Sequence, residues 1–232
     1  MPLPTKLVQG WDSANVNRNV IPIPSQIGIV AGAASFTDGF PPVCLLPISS
    51  GGVPPDGADM NGILWAISSV LAYVNAGGIF PYDAAFQTAI GGYPNGAVVL
   101  QAADSTATWR SNVANNATDP DTGGAGWVSS KPLYATTAPS AGAHNDVALP
   151  GPSDYVLDVD TTAGAQSISG FAAQRDGQRV VVSNTGANLL TLSALTGSSG
   201  PNQFRLPTDL ALVQNQSATL QYSTGAAKWV TA

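Results

Sequence analysis

The chain has 232 residues, only 9 % of them charged, with a formal net charge of −6. All 14 acidic residues are Asp. Glu is absent and Lys is rare, which argues against a mostly helical protein because these residues normally form solvated helix faces. The eight Lys and Arg residues are dispersed, so no basic cluster is available for phosphates and no nucleic-acid partner is expected. Abundant Gly, Pro, Ser, Thr and Asn predict turns and short strands.

Residues 1–58 are predicted to form an extended segment with little regular structure. Pro recurs from Pro22 to Pro55 and leaves little room for long helices or strands. A segment of this kind orders poorly alone. We therefore expect it to lie along a partner surface or a neighbouring subunit.

One helix is strongly indicated, over residues 59–76. Asp56 or Asp59 can cap its start, and the Gly pair at 77–78 ends it. Its apolar residues are spaced alternately by four and three positions, as in a coiled-coil seam. The stripe and its flank consist of Met60, Ile63, Leu64, Ile67, Leu71 and Val74, with Val70 beside them. A helix this short is marginal alone in water, so the stripe needs a partner surface.

Two partner surfaces remain open for this stripe: the rest of its own domain, or the same stripe on sister chains. Trp65 favours sister chains, because it projects from the opposite face, among Ser68, Ser69 and Ala72. The helix then has two apolar sides, one for a flanking module and one for other subunits. We predict an oligomerisation segment over residues 59–92, which includes a second short helix over 82–90.

The remainder is predicted to be β structure, so that the fold class is mainly β with a short central helix. Residues 93–130 form a small β module, residues 131–153 are a linker without sustained periodicity, and residues 154–232 form a C-terminal module. Short strands at regular spacing predict a β-sandwich or jelly-roll-like arrangement for this last module. Its strands are expected at 155–159, 166–169, 179–183, 189–192, 204–206, 209–213, 218–222 and 228–230.

No catalytic residue, metal site or cofactor is predicted. The close carboxylate pairs, Asp119 with Asp121 and Asp158 with Asp160, are more simply solvated turn or edge residues than an acid–base pair. The turn at 119–124 lacks the later acids of a calcium loop. A thiol nucleophile at Cys44 would need the single His, His144, which lies in the predicted linker.

Three aromatic residues are candidates for glycan binding: Tyr93, Trp109 and Trp127. Their placement in a small β module is similar to carbohydrate-binding modules related to chitin-binding domains, where exposed rings stack on sugar faces. The alternative is that these rings form the core of a module with few other large side chains.

No membrane insertion is expected. The most apolar run, residues 63–74, is too short to span a bilayer. The start of the sequence lacks the basic and apolar pattern of a secretory signal, so synthesis in the cytoplasm is expected.

Three stretches resemble tail-fibre and related virion proteins of tailed bacteriophages. GGVPPDGADMNGIL at 51–64, with NAGGIFPYDAAF at 75–86, resembles the virion-proximal segment of such fibres. IGGYPNGAVV at 90–99, with Trp109 and Trp127, resembles the small β module that follows it. GQRVVVSNTG at 177–186, with NQFRL at 202–206, is similar to a β module of phage appendages.

The resemblance implies a homotrimeric virion protein located in the phage tail after synthesis in the host cytoplasm, and the lack of catalytic motifs with only one His predicts no enzymatic activity. The resemblance also implies that residues 1–58 anchor the chain to other tail or baseplate proteins and that the helix is the trimerisation element. The chain lacks the long shaft and large receptor domain of many fibres. A short fibre or fibre-base subunit is therefore expected; the alternative is a short receptor-binding protein that recognises a bacterial surface glycan or pilus.

Overall fold

The structure is a computed structural model that describes residues 5–137, 139–172 and 175–232. The chain divides into two compact units: unit 1 ends at Ile79 and unit 2 begins at Phe80. The described residues form a mainly β protein with two α-helices.

Unit 1 is organised around a single α-helix, α1 (Gly57–Asn75). The Asp56 side chain caps its start by accepting a hydrogen bond from the Ala58 backbone N–H at 2.9 Å. The described residues before it form turns and irregular backbone with two 3-10 helices, Pro42–Leu45 and Ile48–Ser50. The Pro residues account for this irregular backbone, since they interrupt regular hydrogen bonding.

Unit 2 begins with a second helix and a small antiparallel sheet. Helix α2 (Ala84–Ile90) is capped by Asp83, whose side chain accepts from the Phe86 backbone N–H. The sheet has the order β1-β2-β3. Its strands are β1 (Val98–Leu100), β2 (Thr108–Ser111) and β3 (Trp127–Ser129). Tyr93, Val99 and Trp127 form its buried centre, with Tyr82 packed against them.

Two further sheets complete unit 2. One has six strands in the order β10-β13-β12-β8-β6-β4, and the other has four in the order β11-β9-β7-β5. The strands are β4 (Leu133–Thr137), β5 (Gly142–His144), β6 (Tyr155–Val159), β7 (Gln166–Ile168), β8 (Arg179–Asn184), β9 (Leu190–Leu192), β10 (Phe204–Arg205), β11 (Leu210–Leu212), β12 (Ser217–Ser223) and β13 (Lys228–Thr231). Each of the eight strands predicted from residue 154 onward is present.

The six strands from β4 to β9 form a β-solenoid-like arrangement. Each successive coil adds one strand to each sheet: β4 then β5, β6 then β7, β8 then β9. Within a sheet these strands are parallel, for example Leu133 opposite Tyr155 and Tyr155 opposite Val180. The remaining pairs are antiparallel except β10 with β13. The two sheets share one core, but the predicted β-sandwich or jelly-roll-like arrangement is not confirmed, since the strands of those folds pair in antiparallel fashion.

Alternation of side chains explains how these short strands hold together. In β6, Tyr155, Leu157 and Val159 are buried, while the side chains between them are partly exposed. The same alternation places Val180 and Val182 of β8 in the core. Because the side-chain period is two, the sequence pattern fixes which face of each strand is buried.

Residues 131–153 differ from the predicted linker. They contain β4 and β5, which form the first coil and pair with β6 and β7; Ala138, between them, lies outside the described residues. These strands could not be predicted from composition, because edge strands need few large apolar residues. For example, β5 consists of Gly142, Ala143 and His144. The predicted boundary at 92 also differs, because α2 belongs to unit 2 rather than to the segment around α1.

Candidate functional site

The predicted oligomerisation stripe lies on the solvent side of α1. Met60, Ile67 and Val74 are 45 %, 53 % and 52 % exposed, and Leu64 and Leu71 are also exposed. Ile63 and Val70 flank them; Ile63 is partly exposed and Val70 is about half exposed. We name these seven residues the apolar helix face. Nothing described in unit 1 covers this face, so the prediction that it packs on its own domain does not hold within that unit.

The N-terminal segment contacts the opposite side of α1, although Trp65 on that side remains 37 % exposed. The Trp11 backbone N–H donates to Ser68 Oγ at 2.7 Å, and Trp11 Nε1 donates to Asn61 Oδ1 at 3.1 Å. The Arg18 guanidinium lies 4.0 Å from the centroid of the Trp65 ring, within the range of a cation–π contact. Trp65 therefore faces a flanking segment, on the side of the helix that the sequence predicted for it.

Two residues inside α1 fix this segment in place. Asp59 is buried, and its two carboxylate oxygens accept from the Ala34 backbone N–H and from Asn19 Nδ2, both at 2.8 Å. Gly62 is also buried. The N-terminal segment lies so close to it that an added Cβ would be 2.2 Å from the Asn19 carbonyl oxygen. Neither role is evident from the sequence, where Asp56 and Asp59 are both possible caps; Asp56 caps the helix.

The electrostatics of α1 favour contact with an apolar surface. Asp59 is the helix's only charged residue, and it is turned towards the N-terminal segment. The apolar helix face thus carries no charge that a partner would have to desolvate. Its residues present a single exposed seam along the helix.

Two of the three candidate glycan-binding aromatics are core residues. Tyr93 and Trp127 are buried, with ring centroids 5.6 Å apart in an edge-to-face contact, and Trp127 Nε1 donates to the Thr118 carbonyl oxygen at 2.9 Å. Stacking of a sugar on these two rings is excluded in this structure because it requires an open ring face. Trp109 differs, since it is partly exposed and only packs against the edge of the cluster.

The candidate carboxylate pairs have structural partners. Asp119 caps a 3-10 helix (Pro120–Thr122), and Asp121 Oδ1 accepts from Trp109 Nε1 at 2.8 Å. Asp158 accepts from the Tyr134 hydroxyl. A hydrogen bond from the Thr162 side chain is the largest cause that lowers the pKa of Asp160, which opposes a general-acid role because it favours the ionised form.

Cys44 and His144 each contact backbone within their own unit. Cys44 Sγ lies 3.4 Å from the Gly32 carbonyl oxygen, and His144 Nε2 lies 2.9 Å from the Ser140 carbonyl oxygen. Among the described residues, no three His, Cys, Asp or Glu side chains are grouped closely enough to hold a metal ion. Within the same ranges, no helix is both long and apolar enough to cross a membrane.

Comparison with protein-family models, with curated proteins and with solved structures finds no match to this chain. The resemblance to phage appendage proteins therefore stays a prediction. Function is therefore inferred from the geometry of each unit.

Proposed function

We propose that this chain is a structural subunit of a bacteriophage tail, a short homotrimeric fibre or fibre-base protein without catalytic activity. In this proposal the apolar helix faces of three α1 helices pack together. The segment before α1 anchors the trimer to other tail or baseplate proteins in the virion. The two large sheets form a β-sandwich-type module that holds the distal end or docks the next component.

The apolar helix face carries this proposal. It is exposed along the helix from Met60 to Val74, uncharged, and matched in spacing to identical helices. A second copy of the same face is a suitable occupant because both surfaces share the same repeat and neither brings a charge to bury. Exposed apolar stripes of this kind mark interaction surfaces.

The residue types favour three helices over two. With Leu64 and Leu71 at one heptad position, Ile67 and Val74 occupy the alternate position together with Met60. Leu at position a with β-branched residues at position d shifts coiled coils towards trimers and tetramers. Ile63 and Val70 widen the stripe beyond a two-stranded seam.

The N-terminal segment adds support for assembly. Many of its large apolar side chains are exposed in the single chain, among them Val8, Val20, Ile23 and Leu45. A segment that is pinned to α1 by polar contacts but leaves its apolar groups in solvent is suited to lie along another protein.

The test is the mass of the protein in solution. We expect sedimentation equilibrium to give three times the chain mass of 23.5 kDa. Replacing Leu64 and Ile67 together with Asp should convert the trimer to monomer or aggregate, because each introduced charge would be buried without a partner. The matched control is Val213→Asp, which adds a charge at an exposed apolar position of unit 2 and should leave the trimer intact. A wild-type protein that is a stable monomer at micromolar concentration would contradict the proposal.

The second candidate is a short receptor-binding protein that recognises a bacterial surface glycan or pilus. One observation favours it: the Trp109 ring remains partly exposed, although the other two candidate aromatics are buried. Adsorption of the purified protein to host cells would support this function, and absence of adsorption would favour a purely structural role.

A further inference from the structure

Unit 2 contains a cavity of about 580 Å³, within the range of roughly 300–1,000 Å³ that small-molecule sites occupy. One side is formed by the β1–β3 module and the other by β4, the start of β6 and residues 150–153 before it. Four aromatic residues line it: Trp109, Trp127, Tyr134 and Tyr155. Most of the remaining wall is Gly and Pro, and no charged side chain lines the cavity.

Two of the four rings are accessible to a ligand. Tyr134 is 70 % exposed and Trp109 is partly exposed, whereas Trp127 and Tyr155 are buried and support the wall. The loop at 123–126 has the sequence Gly-Gly-Ala-Gly, so its backbone is covered by little more than one methyl group. The cavity therefore presents flat apolar ring surfaces beside an almost bare peptide wall.

The polar groups at the rings are mainly acceptors. The donors of three of the four rings are already engaged inside the protein: Trp109 Nε1 with Asp121, Trp127 Nε1 with the Thr118 carbonyl, and the Tyr134 hydroxyl with Asp158. Both hydrogen bonds to Asp121 use the same carboxylate oxygen, Oδ1. A carboxylate accepts at both oxygens, so capacity to accept hydrogen bonds remains next to the exposed rings.

We propose that this cavity binds a neutral saccharide. The C–H face of a pyranose complements the apolar faces of Trp109 and Tyr134, and its hydroxyl groups donate to the carboxylate of Asp121, which is exposed beside the Trp109 ring at the rim of the cavity. An acidic sugar fits poorly, since this carboxylate would repel it. The binding site thus uses one residue predicted from the sequence, Trp109, and one that was not, Tyr134.

A proline-rich peptide is the main competing ligand, because such peptides also dock in aromatic grooves. Its backbone carbonyls need hydrogen-bond donors, since Pro has no N–H. The donors of Trp109, Trp127 and Tyr134 are engaged, whereas an acceptor remains beside the Trp109 ring. The hydrogen-bonding pattern therefore favours a ligand with hydroxyl groups.

Saturation-transfer NMR on the whole chain tests the proposal with lactose, N,N′-diacetylchitobiose, sialyllactose and a decaproline peptide as probes. At least one neutral disaccharide should receive saturation through its C–H protons, and sialyllactose should bind more weakly than lactose. Trp109→Ala and Tyr134→Ala should each weaken binding by at least about tenfold. Tyr134→Ala keeps the test valid if Trp109→Ala misfolds, because the Tyr134 ring is largely in solvent.

The matched control is Phe36→Ala, which removes an exposed ring from unit 1 and should leave binding unchanged. Three outcomes would overturn the saccharide site: no neutral disaccharide binds at about 10 mM, the Tyr134→Ala variant binds as well as wild type, or only decaproline binds. The proposal deepens the second candidate function and does not depend on assembly through α1. Sedimentation of the same samples separates a failure of the saccharide site from a failure of the trimer.

Discussion

The two units deal with apolar residues in opposite ways. In unit 2, the sheets bury Phe171, Phe204 and Trp229 completely, in a core that draws on both large sheets. Among the described residues of unit 1, only Ile21 and Ala34 belong to the buried apolar set, and most of the large exposed apolar side chains of the protein lie in this unit. Unit 2 buries its large apolar side chains within one chain, whereas unit 1 leaves an apolar surface exposed, which in our proposal other copies of the chain cover.

With few buried apolar side chains, unit 1 depends on polar contacts. Unit 1 is held together by hydrogen bonds between α1 and the N-terminal segment, such as those of Asp59 and Trp11. Hydrogen bonds of this kind each contribute about 0.5–1.5 kcal/mol, so they specify a conformation more than they provide a stable core. Burial of the apolar helix face in a trimer would supply the missing hydrophobic stabilisation.

The largest expected effect is in the core of unit 2. Trp229 is fully buried in β13, donates Nε1 to the Phe171 carbonyl oxygen at 2.9 Å, and meets the Phe171 ring edge to face. Trp229→Ala should lower the free energy of unfolding of unit 2 by roughly 3–5 kcal/mol, because it leaves a cavity and an unpaired carbonyl. Urea denaturation followed by far-ultraviolet circular dichroism measures this loss.

Val213→Ala is the control for this change. Val213 is exposed, and truncation there should alter the free energy of unfolding by no more than about 0.5 kcal/mol. If Trp229→Ala unfolds at the same urea concentration as wild type, unit 2 does not depend on this core and the contrast between the units disappears.

The next effect concerns how unit 1 holds its N-terminal segment. In Gly62→Ala the new methyl group would lie 2.2 Å from the Asn19 carbonyl oxygen and 3.1 Å from the Ile21 side chain. We expect the segment around Asn19 to move away, at a cost of about 1–3 kcal/mol. Hydrogen-exchange mass spectrometry should show faster exchange at residues 11–21, while α1 stays helical because Ala favours helix over Gly.

Gly57→Ala is a matched substitution in the same helix. A Cβ at Gly57 meets no atom within 4 Å, so this variant should exchange like wild type in residues 11–21. Equal exchange in the two variants would mean that the close approach of Gly62 to Asn19 does not hold the segment against α1.

The sequence was sufficient for those parts of the fold that repeat a local pattern. The alternation in β6 and β8 and the apolar stripe of α1 each express a single period over several residues, and both elements lie where they were expected. Strand order was not predictable, because successive strands of a solenoid-like coil and of a sandwich share the same alternation. The choice between them depends on the direction in which each connection crosses, which no residue type specifies.

The candidate site was only partly predictable for the same reason. The stripe from Met60 to Val74 was visible as a spacing, and its exposure agrees with the expected role. Tyr134 was not visible, since it lies in a segment without periodicity, and its place in the cavity depends on parallel pairing with β6. Tyr93 and Trp127 could not be told from stacking residues, because a core ring and a binding ring are the same residue type.

The smallest expected effect is a dependence of unit 2 on acid. Asp146 accepts hydrogen bonds from Asn202 Nδ2 at 2.7 Å and from Ser199 Oγ at 2.8 Å, and the bond from Asn202 is the largest cause that lowers the pKa of this carboxyl. Because the folded pKa lies below the unfolded value of about 3.9, the contribution to stability is present above that pH. It is lost as the pH falls through the folded pKa.

Asp146→Asn should therefore destabilise unit 2 most at neutral pH, and the difference from wild type should shrink as the pH drops below about 4. Urea denaturation at a series of pH values measures both curves. Ser199→Ala should shift the wild-type curve in the same direction by less, since Asn202 still donates to the carboxylate. A difference between Asp146→Asn and wild type that stays constant across the pH range would show that this carboxylate acts only through its shape. The cross-link between the β5–β6 connection and residues 199–202 would then not depend on charge.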